Sequence, residues 1–393
     1  MTPRAVSRRA ARPQLIRAMN EQLLLEQVRQ DGPLSRADLA RLSGLSKPTV
    51  ALALANLEHD GLLRVAGRRT GMRGPAAVLY EIRPEAGYVL GLDIGREFVR
   101  GALADLSGAV RAKVSQKAHA PTTQGRLAEL TALGDVLTAS AGVTRAKVTQ
   151  TVIGSPGVYD PERGALTMAR NLPGWEQPLV LTELRRLFGR ATVVENDVDA
   201  AALAERDHGH GRGVDTFAFV SVGTGLGMGL VIEGKLHRGA HGAAGEIAYL
   251  PLSNGEVDAV EAKHRGTLEV AASASAVVRA AKRAGMRSGL SARRIFAEAA
   301  RNDPLAQAIV REEAILIAKA LASIVAVIDP ELIVLGGGIG QAPGFAAEVG
   351  TALEMLAPVV PEIRVSALGD DAVVDGCLAA GMERAWHRVL ERS

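Results

Sequence analysis

Residues 34–63, with the sequence LSRADLARLSGLSKPTVALALANLEHDGLL, contain two helix-start signals separated by one turn. Ser35 can cap a first helix, because Asp38 follows three residues later as in a capping box, and Gly44 can end that helix. Ser46 can then cap a second helix. Two short helices joined by a tight turn that contains glycine are typical of a helix-turn-helix unit. No other segment constrains the local fold of the chain as tightly.

The second helix of this unit has an apolar stripe and an outward face. Val50, Leu54 and Leu57 recur at helical spacing, and we expect them to face the core. In helix-turn-helix proteins the second helix lies in the major groove of DNA. Lys47 can meet a phosphate or a guanine there, and Thr49 a base edge or a thymine methyl group. The residues of this unit predicted to contact DNA are Ser35, Ser46, Lys47, Thr49 and Ala53.

A basic hairpin is predicted after the second helix. Residues 62–84 (LLRVAGRRTGMRGPAAVLYEIRP) place apolar alternation on each side of a segment rich in glycine and arginine. This pattern predicts a two-stranded wing that carries Arg68, Arg69 and Arg73 at its tip. Arg73 could enter a minor groove, where narrow A·T-rich segments attract guanidinium groups. The alternative is a solvated basic hairpin within an ordinary small helical domain.

The charge of the chain is divided unevenly. Residues 1–83 hold 14 Lys and Arg against 7 Asp and Glu, whereas residues 84–393 hold 32 against 36. A basic surface that neutralises DNA phosphates is therefore expected in the first domain. This is typical of a DNA-binding domain joined to a second domain. The sequence has no run approaching the roughly 18 to 20 apolar residues that span a bilayer, and the lone Cys377 fits a reducing compartment. We expect a cytoplasmic chain that binds double-stranded DNA and no membrane.

From residue 88 onward the pattern changes to short strands that alternate with helices. One series begins with YVLGLDIG and a second with FAFVSVGTGLGMGLVIEGKLHRG, which indicates a weak internal duplication. The expected fold class is α/β multidomain, with an N-terminal winged helix-turn-helix and a two-lobed, actin-like or hexokinase-like (RNase H-like) domain. The expected domains are 1–83 for DNA binding, 84–200 plus 372–393 for the first lobe, and 201–371 for the second lobe.

Several short motifs occur in an order and spacing that together indicate a family. They are DIG at 93–95, SPG at 155–157, NLPGW at 171–175, VENDVDAAALAE at 194–205, GTGLGMGLVIEGKLHRGAHGAAGE at 223–246 and LGGG at 335–338. With a winged helix-turn-helix in front of them, the chain resembles the ROK family of repressors, open reading frames and kinases, and specifically its transcriptional regulators. The resemblance covers nearly the whole chain.

The resemblance implies a sugar site. In ROK sugar kinases the positions matching Asn196, Glu246 and Glu269 contact the hexose, and the position matching Asp197 is the general base. Such groups suit a sugar, because each hydroxyl both donates and accepts hydrogen bonds. Together with a close backbone approach, a further amide and a hydroxyl, the expected sugar-binding set is Gly157, Asn171, Asn196, Asp197, Glu246, Tyr249 and Glu269. A purely structural alternative is that Asp197 caps a helix that Glu205 helps to solvate.

Departures from the kinase pattern argue against nucleotide binding. Kinases of the family carry a glycine, a threonine and often a lysine after DIG, whereas Arg96, Glu97 and Phe98 stand here. A carboxylate about 4 Å from a phosphate charge costs about 4 kcal/mol at an effective dielectric constant near 20. We therefore expect no ATP, no catalytic residue and no enzymatic activity, with Asp197 as a vestigial base position. Asp199, in place of the family's second asparagine, suits a neutral sugar or an amine better than a sugar phosphate, unless Arg170 or Arg238 lies close.

The sequence also departs from the zinc site of the family. The resemblance places Tyr249 where family members have a histidine ligand, and Val260, Ala262 and Thr267 where they have cysteine ligands. Structural zinc sites are built from thiolates and imidazoles. No metal or other cofactor is expected.

These observations lead to one favoured function and two alternatives. The favoured function is a transcriptional regulator, specifically a repressor of carbohydrate-metabolism genes, with a sugar or sugar derivative as its effector. A homodimer or homotetramer would set two recognition helices about 34 Å apart on the operator. The first alternative is a bifunctional sugar kinase that uses ATP and Asp197. The second is a DNA-binding scaffold whose large domain only oligomerises.

Overall fold

The computed structural model describes residues 13–70, 76–160, 162–169, 172–253 and 257–392. The N-terminal elements are α1 (Pro13–Asp31), β1 (Leu34–Ser35), α2 (Arg36–Ser43), α3 (Lys47–His59), β2 (Leu63–Arg69) and β3 (Ala77–Ile82). The strands form an antiparallel sheet in the order β1-β3-β2, and β2 with β3 is the predicted wing. The predicted winged helix-turn-helix is confirmed.

Local signals set the ends of α2 and α3. The Ser35 hydroxyl accepts the N–H of Asp38 at 3.2 Å, and the Asp38 carboxylate accepts the N–H of Ser35 at 3.1 Å, which completes the predicted capping box. Gly44 ends α2 with a left-handed φ of 69°. The Ser46 hydroxyl accepts the N–H of Thr49 at 3.3 Å at the start of α3. These bonds satisfy backbone groups that helix ends otherwise leave unpaired.

A second sheet follows the winged region. Its elements and the helices around it are β4 (Tyr88–Ile94), β5 (Phe98–Asp105), β6 (Val110–Lys117), α4 (Thr123–Ser140), β7 (Val148–Ser155), β8 (Val158–Asp160), β9 (Ala165–Thr167), α5 (Leu179–Phe188), β10 (Val193–Asn196) and α6 (Asp197–His208). The strand order is β10-β7-β4-β5-β6, while β8 and β9 form a separate hairpin. Strands β4, β5 and β6 are an antiparallel meander, and β7 and β10 are parallel to β4.

A third sheet repeats this arrangement. The remaining elements are β11 (Phe217–Val222), β12 (Leu226–Ile232), β13 (Lys235–Leu236), α7 (Ala259–Arg265), α8 (Thr267–Ala271), α9 (Ala274–Arg283), α10 (Ala292–Ala299), α11 (Pro304–Ile328), β14 (Leu332–Gly336), α12 (Gly337–Gly340), α13 (Phe345–Glu354), β15 (Glu362–Val365) and α14 (Ala372–Arg392). The strand order is β13-β12-β11-β14-β15. A meander followed by two parallel strands occurs in both sheets, so the predicted duplication and two-lobed α/β class are confirmed. The predicted domain boundaries stay predictions.

The winged region shares a hydrophobic core with the rest of the molecule. Buried side chains of α1 and α3 belong to one cluster with residues of β4, β5 and α14, including Leu378 and Trp386. The guanidinium of Arg29 on α1 lies 5.6 Å from the centre of the Trp386 ring. The carboxylate of Glu21 on α1 accepts a hydrogen bond from the Asn56 side chain of α3 at 2.5 Å. Helix α14 therefore packs against α1 and shares a core with the winged helix-turn-helix.

Hydropathy along the helices bears on membrane insertion. Among the helices of the described residues, we find none with the length and apolar content needed to cross a bilayer.

Candidate functional site

The first candidate surface is the N-terminal end of α3. Ser46 and Lys47 are exposed there, and Thr49 is partly exposed. The hydroxyls of Ser46 and Thr49 lie 2.8 Å apart. A cation, two hydroxyls and the positive end of the helix dipole form a surface that can bind a phosphate and reach base edges.

Two residues predicted to face DNA do not do so. Ala53 is only 3% exposed, because it lies three residues after Val50 and four before Leu57 on the buried stripe of α3. Ser35 is 5% exposed, and its hydroxyl donates to Asp38 at 2.7 Å as part of the capping box. The prediction was wrong for both residues, which stabilise the motif rather than contact a ligand.

The wing carries part of the predicted arginine set on its surface. Arg68 and Arg69 are exposed on β2. Arg69 donates to the Asp38 carboxylate at 2.7 Å, so it links the wing to α2. Arg73 lies outside the described residues.

The second candidate site is a cavity of about 230 Å³ between the two lobes. All of the predicted sugar-binding residues except Asn171, which lies outside the described residues, line this cavity: Gly157, Asn196, Asp197, Glu246, Tyr249 and Glu269. They come from the end of β7, the start of α6, the loop before α7 and the helix α8. The parallel strands β7 and β10 end at this edge of the sheet, which brings distant segments together.

Asn196 organises the first-lobe wall of this cavity. Its amide oxygen accepts the N–H groups of Val198 at 2.9 Å and Asp199 at 3.1 Å, so Asn196 is the N-cap of α6. Its amide nitrogen donates to the Gly157 carbonyl at 3.1 Å. Asp197 is therefore not the cap that the structural alternative required. The same alternative predicted that Glu205 is exposed to solvent. Glu205 is instead fully buried and accepts a hydrogen bond from the Ser366 hydroxyl at 2.6 Å.

Position 157 requires glycine, because there is no room for a side chain. Its φ is 90°, and a Cβ at this position would lie 2.4 Å from the Thr167 carbonyl oxygen. Any larger residue would push the SPG turn away from β9 and shift the backbone that borders the cavity.

Acidic groups crowd the cavity and its edge. Burial raises the pKa of Asp197 to about 6. Burial and the neighbouring Glu195 carboxylate raise the pKa of Asp199 to about 7. Burial, followed by the charge of Asp197, raises the pKa of Asp93 in β4 to about 7. The site therefore favours hydroxyl or cationic donors over anions.

The second-lobe wall has its own hydrogen bonds. The Glu269 carboxylate accepts the N–H of Leu226 at 3.1 Å and the Arg265 guanidinium at 3.0 Å. The same guanidinium donates to Glu261 at 3.0 Å. The Tyr249 hydroxyl donates to the His264 carbonyl at 3.4 Å. These bonds fix the orientation of Glu269 and Tyr249 before a ligand arrives.

Residues beside the cavity do not fit a metal nucleotide or zinc. Arg100 on β5 donates to the Asp93 carboxylate at 3.3 Å and also pairs with Asp370 at 3.4 Å, so Asp93 already has a cation of the protein beside it. At the family's zinc position, the Tyr249 hydroxyl is directed at a backbone carbonyl and Val260 is 68% exposed. Neither side chain offers a zinc ligand.

Sequence reasoning missed Arg265, and it named Arg238 near Asp199 without being able to place it. Arg265 lines the cavity and holds Glu269, and the i, i+4 spacing of Glu261, Arg265 and Glu269 was a visible signal. Arg238 binds the Glu195 carboxylate in a bidentate contact, in which its Nε donates at 3.1 Å and its Nη2 at 2.8 Å. These two residues are far apart in sequence, so only the fold reveals their pairing.

Comparisons with known proteins match both parts of the chain. The profile of the ROK family matches residues 89–381, and that of the winged helix-turn-helix DNA-binding family matches residues 20–64. The xylose repressor of Caldicellulosiruptor bescii is 27% identical over 93% of this chain and 96% of its own length. The N-acetylmannosamine kinase of Escherichia coli O1:K1 is 32% identical over 67% of this chain and 87% of its own length.

A solved structure matches nearly the whole fold. The crystal structure of a ROK family transcriptional regulator, described as a homologue of the E. coli MLC protein, superposes with a TM-score of 0.73 at 26% identity. The match covers 96% of this chain and 98% of that one, so the order of winged region and two lobes is common to both.

Proposed function

The chain belongs to the ROK family, and from that membership we propose that it is a DNA-binding transcriptional repressor whose effector is a neutral sugar bound between the lobes. One observation carries the proposal: the predicted sugar-binding residues within the described part of the chain converge on one cavity, in a chain that also has a winged helix-turn-helix. The name of the C. bescii relative makes xylose the first sugar to test.

The chemistry of the cavity favours a neutral ligand. Carboxylates at Asp197, Glu246 and Glu269 can accept hydrogen bonds from sugar hydroxyls, and they repel a phosphate at the same place. The Asp93 and Arg100 pair supports a binding role without phosphoryl transfer, because a nucleotide-bound metal would have to compete with the guanidinium. The proposal therefore has no catalytic step.

A continuous set of contacts can connect sugar and DNA. Helix α6 begins at the cavity and packs so closely on α14 that a Cβ at Gly376 would lie 1.7 Å from the Ala200 carbonyl oxygen. Helix α14 continues to Trp386 and the docked helix α1. Because α1 also contacts α3, a sugar that favours one arrangement of the lobes can change the position of the DNA-reading helix.

The decisive experiment is a DNA-binding titration with the chain's own upstream DNA, without and with xylose, glucose or N-acetylmannosamine. We expect one sugar to weaken DNA binding about tenfold or more, which corresponds to about 1.4 kcal/mol of coupling. Asp197→Asn should reduce the response to sugar without changing DNA affinity in its absence. Lys47→Ala should weaken DNA binding and leave sugar binding intact. A DNA affinity that is indifferent to every sugar would contradict the effector role.

The oligomeric state is part of the same proposal. A dimer or tetramer would present recognition helices about 34 Å apart, the distance of one turn of DNA. Sedimentation of the protein on a palindromic site, compared with a half-site, would test it: two chains per palindrome are expected, and one chain bound with equal affinity to either DNA would contradict it.

A kinase activity is the second candidate. The similarity to N-acetylmannosamine kinase favours it, as do the glycines of residues 223–225 and 337–338 at the cavity wall. Measurable ATP consumption that depends on a sugar and disappears in Asp197→Asn would establish it in place of the non-catalytic role.

A further inference from the structure

A second cavity lies behind the sugar cavity. It has a volume of about 350 Å³ and is enclosed by β8, α5, β10, α14 and the segment that follows β13. We call it the rear cavity. Asn196, Asp199 and Gly242 line both cavities, so a single layer of side chains and backbone separates them. The rear cavity is independent of the residues Glu246 and Glu269 that define the proposed sugar site.

The charge of the rear cavity differs from that of the sugar cavity. Arg185 on α5, Arg238 and Arg384 on α14 all line it. The charge of Arg238 is neutralised by its bidentate salt bridge to Glu195. Arg185 and Arg384 are exposed, and within the described residues neither guanidinium forms a salt bridge. The rear cavity therefore presents two uncompensated cations.

The acidic groups of the rear cavity do not cancel this charge. The Glu195 carboxylate is committed to Arg238 at 2.8 Å. Burial and the Glu195 charge raise the pKa of Asp199 to about 7, so this group is only about half ionised at neutral pH. The rest of the wall includes buried apolar side chains, among them Val158, Leu181 and Leu184. Such a combination suits a ligand with one anionic group and an uncharged body.

We propose that the rear cavity binds a small organic anion, with a phosphate or carboxylate group held by Arg185 and Arg384 and its uncharged part against Leu181 and Leu184. Two guanidinium groups can each offer paired N–H donors to such a group. Because the walls of the rear cavity come from both lobes, the anion would act as a second effector beside the sugar. The protein would then respond to two classes of metabolite.

The test is calorimetric titration of the full-length protein with glucose 6-phosphate, with inorganic phosphate and with a neutral sugar as separate probes. We expect a phosphate-containing probe to bind saturably at millimolar or lower concentrations. Arg185→Gln with Arg384→Gln should weaken that binding about tenfold or more. Arg186→Gln is the matched control on the same helix, because Arg186 pairs with Glu183 at 2.8 Å and does not line the rear cavity. The control should bind as the wild type does.

A sugar-site variant separates this proposal from the proposed function. Asp197→Asn should leave phosphate-probe binding within about twofold of the wild type. Phosphate binding that is lost in Asp197→Asn but kept in the double arginine variant would place the anion in the sugar cavity and overturn the proposal. No saturable binding of any phosphate probe would also overturn it. A failure of sugars to affect DNA affinity would contradict only the proposed function.

Discussion

Replacing Glu313 by glutamine tests how the second lobe is stabilised. Glu313 lies on α11 and is 5% exposed, and its Oε1 has no hydrogen-bond partner within the described residues. Burial raises its pKa from 4.5 to about 8. The native state therefore keeps a proton on this carboxyl that the unfolded chain loses above pH 4.5.

The magnitude follows from proton linkage. Each pH unit above the unfolded-state pKa costs about 1.4 kcal/mol, so holding the carboxyl neutral at pH 7 costs about 3 kcal/mol. Since the folded-state pKa is the higher one, the contribution to the free energy of unfolding falls as pH rises from 4.5 to about 8 and is constant above that. Glutamine does not titrate. The free energy of unfolding of Glu313→Gln, relative to that of the wild type, should therefore rise by about 3 kcal/mol between pH 4.5 and 7.

Hydrogen exchange of the α11 amides measures this difference locally, which avoids treating a multidomain chain as two-state. Glu312→Gln, a change at the exposed neighbouring position, is the control and should show no comparable slope with pH. A stability difference between Glu313→Gln and wild type that does not vary with pH would refute the reasoning, because it would mean that Glu313 stays ionised in the folded protein.

Three further predictions concern the winged motif and the cavity. Ala53→Leu should destabilise the winged region by about 1–3 kcal/mol in hydrogen exchange of the α3 amides, whereas Ala55→Leu on the exposed face should have little effect; equal effects would contradict the burial of Ala53. Arg238→Ala should cost about 2 kcal/mol in hydrogen exchange of the β10 amides, because it leaves the buried Glu195 carboxylate unpaired, and a neutral outcome would show that this pair is dispensable. Sugar affinity should fall as pH drops from 7 to 5, since protonation of Asp197 near pH 6 replaces a charged acceptor by a weaker one. A flat calorimetric pH profile would exclude that carboxylate from the sugar contact.

Local patterns predicted most of the winged region. Caps and apolar stripes act over three or four residues, so Ser46, Gly44 and Leu54 have the structural roles that their spacing indicated. Ala53 was misplaced because alanine is small enough for either face, and hydrophobic spacing gives it little weight. Ser35 was misplaced because a capping hydroxyl and a DNA-binding hydroxyl have the same sequence signal.

The sugar cavity was predictable only in part. The motifs identified which residues belong to it, but not the bonds that they make. The Asp93 and Arg100 pair depends on the register of β4 with β5, which places these residues opposite each other. A shift of one position would put Arg100 on the other face of the sheet and leave Asp93 without a cation.

The sequence by itself determined the helix-turn-helix, the duplicated strand series and the family, because these depend on neighbours along the chain. The tertiary structure alone decided that the Asn196 amide donates to the Gly157 carbonyl, 39 residues away. It also decided that Arg238 forms a salt bridge with Glu195, 43 residues away. It also decided that the core of the DNA-reading domain continues into α14. Such contacts depend on how the two lobes pack, and no local propensity records that arrangement.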